Sequence, residues 1–182
     1  MIMARNARIW LAIGANIRGV WGAPVEALAR AVVEIEASGA RVVASSPIFN
    51  SPPMGPVRQP PFFNAVLGIV TSKPAFALLV LAKRLERQAG RRAGMRWGPR
   101  PLDIDILDYC GMRVRCRQKV TRPGLFVLPH PGLMARGFVI LPLMTIAPDW
   151  RHPVTGATAR ETLRRLPRLR RGIVRVADLP DN

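Results

Sequence analysis

Leu102-Asp103-Ile104-Asp105-Ile106-Leu107-Asp108-Tyr109 follows a glycine- and proline-bearing approach (Gly98, Pro99, Pro101) and reads as a strand, the fourth along the chain. Upstream of it, Pro74 opens a helix over residues 75–88, closed by Gly90. Residues 62–71 form an apolar third strand, which predicts a central position in a sheet. A loop, Ser51-Pro-Pro-Met-Gly-Pro-Val-Arg-Gln-Pro-Pro61, precedes it, and its prolines rule out regular structure. Further back lie a valine- and serine-rich strand at 41–49, a helix at 25–37 behind Pro24, and a first strand at 8–13 ended by Gly14. The order strand, helix, strand, strand, helix, strand predicts an α+β fold with a ferredoxin-like βαββαβ core. Its antiparallel sheet would carry both helices on one face.

Downstream of the quoted strand, residues 111–119 predict a short hairpin strand and residues 133–146 a helix broken by Pro142. Residues 158–166 predict a last helix. These are C-terminal additions to one domain, residues 1–182, whose end from about 151 is a basic extension carrying a solvated helix face and a final strand.

The composition is that of a folded globule, with 49% hydrophobic residues. No apolar run reaches the roughly 18 residues of a membrane span, and residues 9–13 are too short for a secretory h-region, so a cytoplasmic protein is expected. Cys110 and Cys116 have no zinc-ligand spacing and are expected as reduced thiols. The formal charge of +17 comes from 25 arginines and three lysines. Basic residues concentrate at 83–100, 113–122 and 151–175, opposed there only by Glu86 and Glu161. Such a field attracts nucleic acid, anionic membrane or a nucleotide triphosphate, and GC-rich coding would produce the arginine skew without function.

Asp103 and Asp105, two apart on a strand, present their carboxylates to one face. Like charges that close repel, and a cation beside them relieves the repulsion. Carboxylate oxygens suit Mg²⁺, which also favours phosphate oxygens and keeps several waters. A solvent-facing polar stripe would carry the same spacing. The neighbours weigh against that reading. Arg87, Arg91, Arg92, Arg96 and Arg100 approach the strand through a loop with turns at Gly90, Gly94 and Gly98. Arginines bind phosphate bidentately, and carboxylates beside them suit phosphoryl transfer.

At Arg96-Trp-Gly-Pro-Arg100-Pro-Leu-Asp103-Ile-Asp105 the sequence resembles the central motif, R-W-G-P-R-x-L-D-I/L-D, of the 6-hydroxymethyl-7,8-dihydropterin pyrophosphokinase family. Three other segments match in order: Leu11-Ala-Ile-Gly-Ala-Asn16; Ser51-Pro-Pro-Met-Gly-Pro with Gln59-Pro-Pro-Phe62-Phe-Asn64; and Pro129-His130-Pro with Arg136-Gly-Phe138-Val-Ile-Leu-Pro142. The resemblance implies transfer of pyrophosphate from ATP, as co-substrate, to 6-hydroxymethyl-7,8-dihydropterin. Two Mg²⁺ ions would sit on Asp103 and Asp105, with Arg91, Arg92 and Arg100 clamping the triphosphate. Trp97, Arg100, His130 and Arg136 would serve ATP, together with Glu86, which aligns with an acidic residue of the family. The pterin would lie between Phe62 and Phe138, with Ser51, Pro52, Met54 and Asn64 around its polar edge. A monomer acting on small molecules, with neither membrane nor nucleic acid as partner, is what the resemblance implies. The alternatives are an inactive member that binds pterin or nucleotide, and a basic RNA-binding module of the same topology.

Overall fold

A computed structural model describes residues 8–92, 97–118 and 124–179. In chain order the elements are β1 (Ile9–Ala15), α1 (Pro24–Ala37), β2 (Arg41–Ser45), β3 (Ile48–Ser51), β4 (Phe62–Val70), α2 (Ala75–Gln88) and β5 (Asp103–Tyr109). They continue with β6 (Val114–Gln118), β7 (Gly124–Leu128), α3 (Gly137–Ile146), α4 (Ala159–Arg165) and β8 (Val174–Ala177). The main sheet runs β5-β1-β4-β3-β8, with β2 also on β4, and every pairing is antiparallel. This is the ferredoxin-like core expected, and β4 is central as its apolar run requires.

Alternation along the strands sorts side chains to two faces. Ile9, Leu11 and Ile13 of β1 join Ala65, Leu67 and Ile69 of β4 and Ile104 and Ile106 of β5, under Leu28 of α1 and Leu78 and Leu85 of α2. Each buried leucine or isoleucine among them contributes roughly 1.5–3 kcal/mol. On the opposite face Trp10, Val66 and Leu107 meet Val139 and Leu143 of α3. Gly68 makes room for this layer, since a Cβ there would lie 2.8 Å from the Trp10 ring. RNA binders of this topology expose that sheet face; here α3 covers it.

Three expectations are corrected. Residues 41–49 do not make one strand. Pro47 has no N–H to give, and the chain gains one residue against β4 between Ser45 (opposite Leu67) and Phe49 (opposite Asn64). The Ser46 hydroxyl closes the gap by accepting from Val66 N at 2.9 Å. Pro142 does not break the helix. α3 runs through it, and the interruption falls earlier, at the extended Arg136 between a 3-10 turn (Leu133–Ala135) and α3. The lost hydrogen bond is offset by burial of Val139, Ile140, Pro142 and Leu143. The 111–119 segment supplies β6, which pairs with the unanticipated β7 in a separate two-stranded sheet; Lys119 lies outside the described residues. The last helix starts after Thr158, whose hydroxyl accepts from Glu161 N at 3.1 Å while Glu161 accepts from Thr158 N at 2.8 Å. The basic extension ends in β8, which joins the main sheet beside β3. Both cysteines are free thiols.

Candidate active site

β5 is an edge strand, so the N–H of Ile104 has no strand to bond. Glu86, buried on α2, accepts it at 2.9 Å. Glu86 also takes the Lys83 ammonium at 2.6 Å and the Arg91 guanidinium at 2.7 Å. Burial dominates its ionisation and raises its pKa against the lowering influence of Lys83. Arg91 therefore stands on a buried carboxylate, and with the same nitrogen it reaches Asp103 Oδ1 at 2.5 Å. Arg100 holds the other oxygen of Asp103 at 2.5 Å. Burial alone would raise the Asp103 pKa; Arg91 and Arg100 together outweigh it and hold the carboxyl at about 2.

Asp105, two residues on and on the same face, meets Arg136 at 3.2 Å and His130 Nε2 at 3.7 Å. His130 Nδ1 accepts from Gly132 N at 3.0 Å, so a neutral ring carries its proton on Nε2, toward Asp105. Burial, reinforced by Arg136, lowers the His130 pKa despite the Asp105 charge. The third aspartate of β5 faces another task. The register steps between Trp10 and Leu11 leave an extra residue on β5, so Leu107 and Asp108 both follow the α3 face. Asp108 is buried there, accepting from Gly111 N and Trp150 Nε1 at 2.9 Å each.

The loops before β4 and β5 are joined through Asn16. Its backbone N–H donates to Arg100 O at 3.0 Å, and its side-chain oxygen accepts from Arg100 N at 2.7 Å. Its amide donates to Gln59 Oε1 and Pro60 O at 3.0 Å each. Gln59 in turn donates to Trp97 O at 2.7 Å, and a Cβ on Gly55 would fall 2.9 Å from the Trp97 ring. Trp97 is thereby held against the proline loop.

Between these loops and α3 lies a cavity of about 250 Å³. Ser51, Pro52, Met54, Phe62, Asn64 and Phe138 line it together with Trp97, Arg100, Asp103, Asp105 and Arg136. Its floor is Ala12 to Gly14. A Cβ at Gly14 would sit 2.8 Å from Asn64 Oδ1, so glycine leaves the amide oxygen its place. Asn64 donates to Ser51 Oγ at 2.9 Å. The Arg136 guanidinium lies 5.9 Å from the Phe138 ring centre, tying the charged and aromatic parts of the cavity together.

Of the residues singled out by sequence, eleven line this cavity; Arg91 and His130 stand behind it on the carboxylates, and Glu86 lies beneath Arg91. Arg92 is exposed and does not line it, Arg87 is solvated, and Arg96 and Gly94 lie outside the described residues. Lys83, Asn16 and Gln59 were missed as functional positions. Asn16 and Gln59 had a signal, since both lie in the matched segments; Lys83 is visible only through its contact with Glu86.

Among the described residues no three His, Cys, Asp or Glu side chains gather around a point that could hold a metal. Asp103 and Asp105 nonetheless offer hard oxygens on one cavity wall, a donor set suited to Mg²⁺ whose remaining ligands are phosphate oxygens and water.

The family model described as 7,8-dihydro-6-hydroxymethylpterin-pyrophosphokinase matches residues 10–148. A 2-amino-4-hydroxy-6-hydroxymethyldihydropteridine pyrophosphokinase of Methylorubrum extorquens is 39% identical over 160 residues, 87% of this chain and 93% of the relative. One of Pseudomonas aeruginosa is 37% identical over 147 residues, 80% of this chain and 84% of the relative. Among solved structures, wild-type Plasmodium falciparum HPPK-DHPS superposes with a TM-score of 0.71 at 13% identity, covering 96% of this chain. The chain spans 49% of that longer one, and the likeness speaks for the fold.

Proposed function

The chain belongs to the 7,8-dihydro-6-hydroxymethylpterin-pyrophosphokinase family, and on that premise we propose how its cavity divides the work. The activity is transfer of pyrophosphate from ATP to 6-hydroxymethyl-7,8-dihydropterin, a step of folate biosynthesis. The hydroxymethyl oxygen attacks the β-phosphorus, the bond from that phosphorus to the α-phosphoryl oxygen breaks, and AMP leaves. The observation that carries the assignment is that six residues suited to a flat heteroaromatic ring share one cavity with Asp103 and Asp105.

In this reading the pterin ring stacks between Phe62 and Phe138, and Asn64, fixed by Ser51, presents its amide oxygen to the polar edge. Arg100 and Arg136 turn from the carboxylates to the phosphates as ATP enters, and Arg91 stays anchored on Glu86. Neutral His130 offers its Nε2 proton to a phosphate oxygen. Trp97, latched through Gln59 and Asn16, closes the loop over the cavity and excludes water. Two magnesium ions on Asp103 and Asp105, when bound, would neutralise phosphate charge and polarise the hydroxymethyl oxygen. We assign the enzyme to the cytoplasm as a monomer, with ATP and the pterin as its partners. No helix among the described residues is long and apolar enough to cross a membrane.

Incubation with ATP, Mg²⁺ and the hydroxymethyl dihydropterin is expected to release AMP only when pterin is present, and Asp105→Ala to abolish the release. Calorimetric binding of pterin and nucleotide without AMP would make the chain an inactive member. Binding of neither would overturn the reading.

A further inference from the structure

The walls of the pterin slot come from three elements: β3 and β4 are joined by their ladder, with Ser51 opposite Phe62, and α3 packs across the sheet as a separate layer. Phe62 is on β4, Ser51 ends β3 with Pro52 beyond it, and Phe138 stands in the first turn of α3. One segment touches two of these walls, and it lies wholly beyond the residues that the family model matches. It comprises the 3-10 turn Pro167–Arg170 and β8.

Its first contact is with α3. A Cβ at Gly137, the residue before Phe138, would lie 1.7 Å from the Leu169 carbonyl oxygen and 2.9 Å from Ile173 Cδ1. Only glycine lets the segment lie this close to the helix start. The second contact is with the proline loop. Gly172 has φ +68°, and a Cβ there would lie 3.3 Å from both Cγ and Cδ of Pro52. The third is the ladder to β3, with Val174 opposite Asn50 and Arg175 opposite Phe49, one and two residues before Ser51. The ends of the segment are anchored: Leu169 packs on Ile140, Ala159 and Leu163, and Leu179 is buried in the main core. Between them Val174 and Val176 are 60% and 49% exposed, so the strand gains little burial of its own.

We infer that residues 167–177 form a strap that sets the width of the pterin slot, with Gly172 and Ile173 as positioning residues for the pterin. The strap fixes the first turn of α3, and hence Phe138, relative to Ser51 and Pro52. A ring stacked between two aromatic faces is sensitive to their separation, whereas Asp103 and Asp105 lie on β5, at the opposite edge of the sheet from β8. This inference rests on the placement of pterin between Phe62 and Phe138.

The test is steady-state kinetics on full-length Gly172→Ala and Ile173→Ala, with Phe62→Ala as the control for the slot itself. Gly172→Ala forces a side chain into a left-handed backbone against Pro52; Ile173→Ala only shortens a side chain and carries the test if the first variant folds poorly. The pterin KM is expected to rise roughly three- to tenfold in both strap variants, with the ATP KM and kcat within about twofold. A lowered melting temperature with pterin KM unchanged would reduce the strap to a stabilising element and overturn the inference. An equal rise of both KM values would overturn it too. If Phe62→Ala leaves the pterin KM unchanged, the slot assignment falls instead.

Discussion

Asp103 and Asp108 stand five residues apart on one strand, both under the same sheet face, yet they live in different chemistry. Asp103 is balanced by two guanidinium groups, and Asp108 by two neutral N–H donors in a buried corner under Trp150. Arginines can turn from a carboxylate to an arriving phosphate and leave the anion free for a cation. A backbone amide and an indole cannot. The difference teaches that a carboxylate becomes a site through the exchangeability of its partners, since residue type and strand are shared.

The same one-atom exchange at both positions gives the largest contrast. Asp103→Asn is expected to lower kcat/KM by about 10²-fold or more, the order seen when a preorganised electrostatic group is lost. Asp108→Asn should leave kcat/KM unchanged while Asp103→Asn does not; equal losses would erase the distinction.

Acid sharpens the comparison. The Asp103 pKa is lowered from 3.8 to about 2, so its stabilisation is complete above its unfolded value and is lost as pH falls through about 2. That lowering corresponds to about 2 kcal/mol before allowance for partial exposure. Urea unfolding between pH 5 and 2.5 should show a steeper loss in the wild type than in Asp103→Asn. Parallel curves would mean that the arginines do not hold this carboxylate in solution.

Stability rather than rate should register the Asp108 exchange. Its amide must turn an N–H toward either Gly111 N or Trp150 Nε1, a mismatch costing about 1–2 kcal/mol in urea unfolding. Trp150→Phe, which removes one donor, should cost about 1 kcal/mol and leave AMP release intact.

The β5 carboxylate pair was legible because period two is a property of any strand, and the arginines were legible from their proximity in sequence. The place of Asp108 was not, because period two puts it on the other face, and the bulge that turns it to the α3 face beside Leu107 is set by the register with β1. Pro142 misled for a related reason. Local propensity counts its lost hydrogen bond, but the burial of α3 against the sheet offsets it only in the folded chain. The break at Ser46-Pro47 likewise depends on a hydroxyl finding Val66 across the sheet.

By itself, then, the sequence determined the order of the core strands and helices, the faces most of them present and the residue types suited to a phosphate and a flat ring. These follow from hydrophobic period, turn chemistry and motif spacing, all carried by neighbours along the chain. Tertiary structure alone decided that Arg91 bridges Glu86 and Asp103, that Asn16 links two distant loops, and that the C-terminal strand pairs with β3. Those contacts join residues far apart in sequence, and their geometry exists only once burial of the two core layers has fixed the sheet register and the seat of α3.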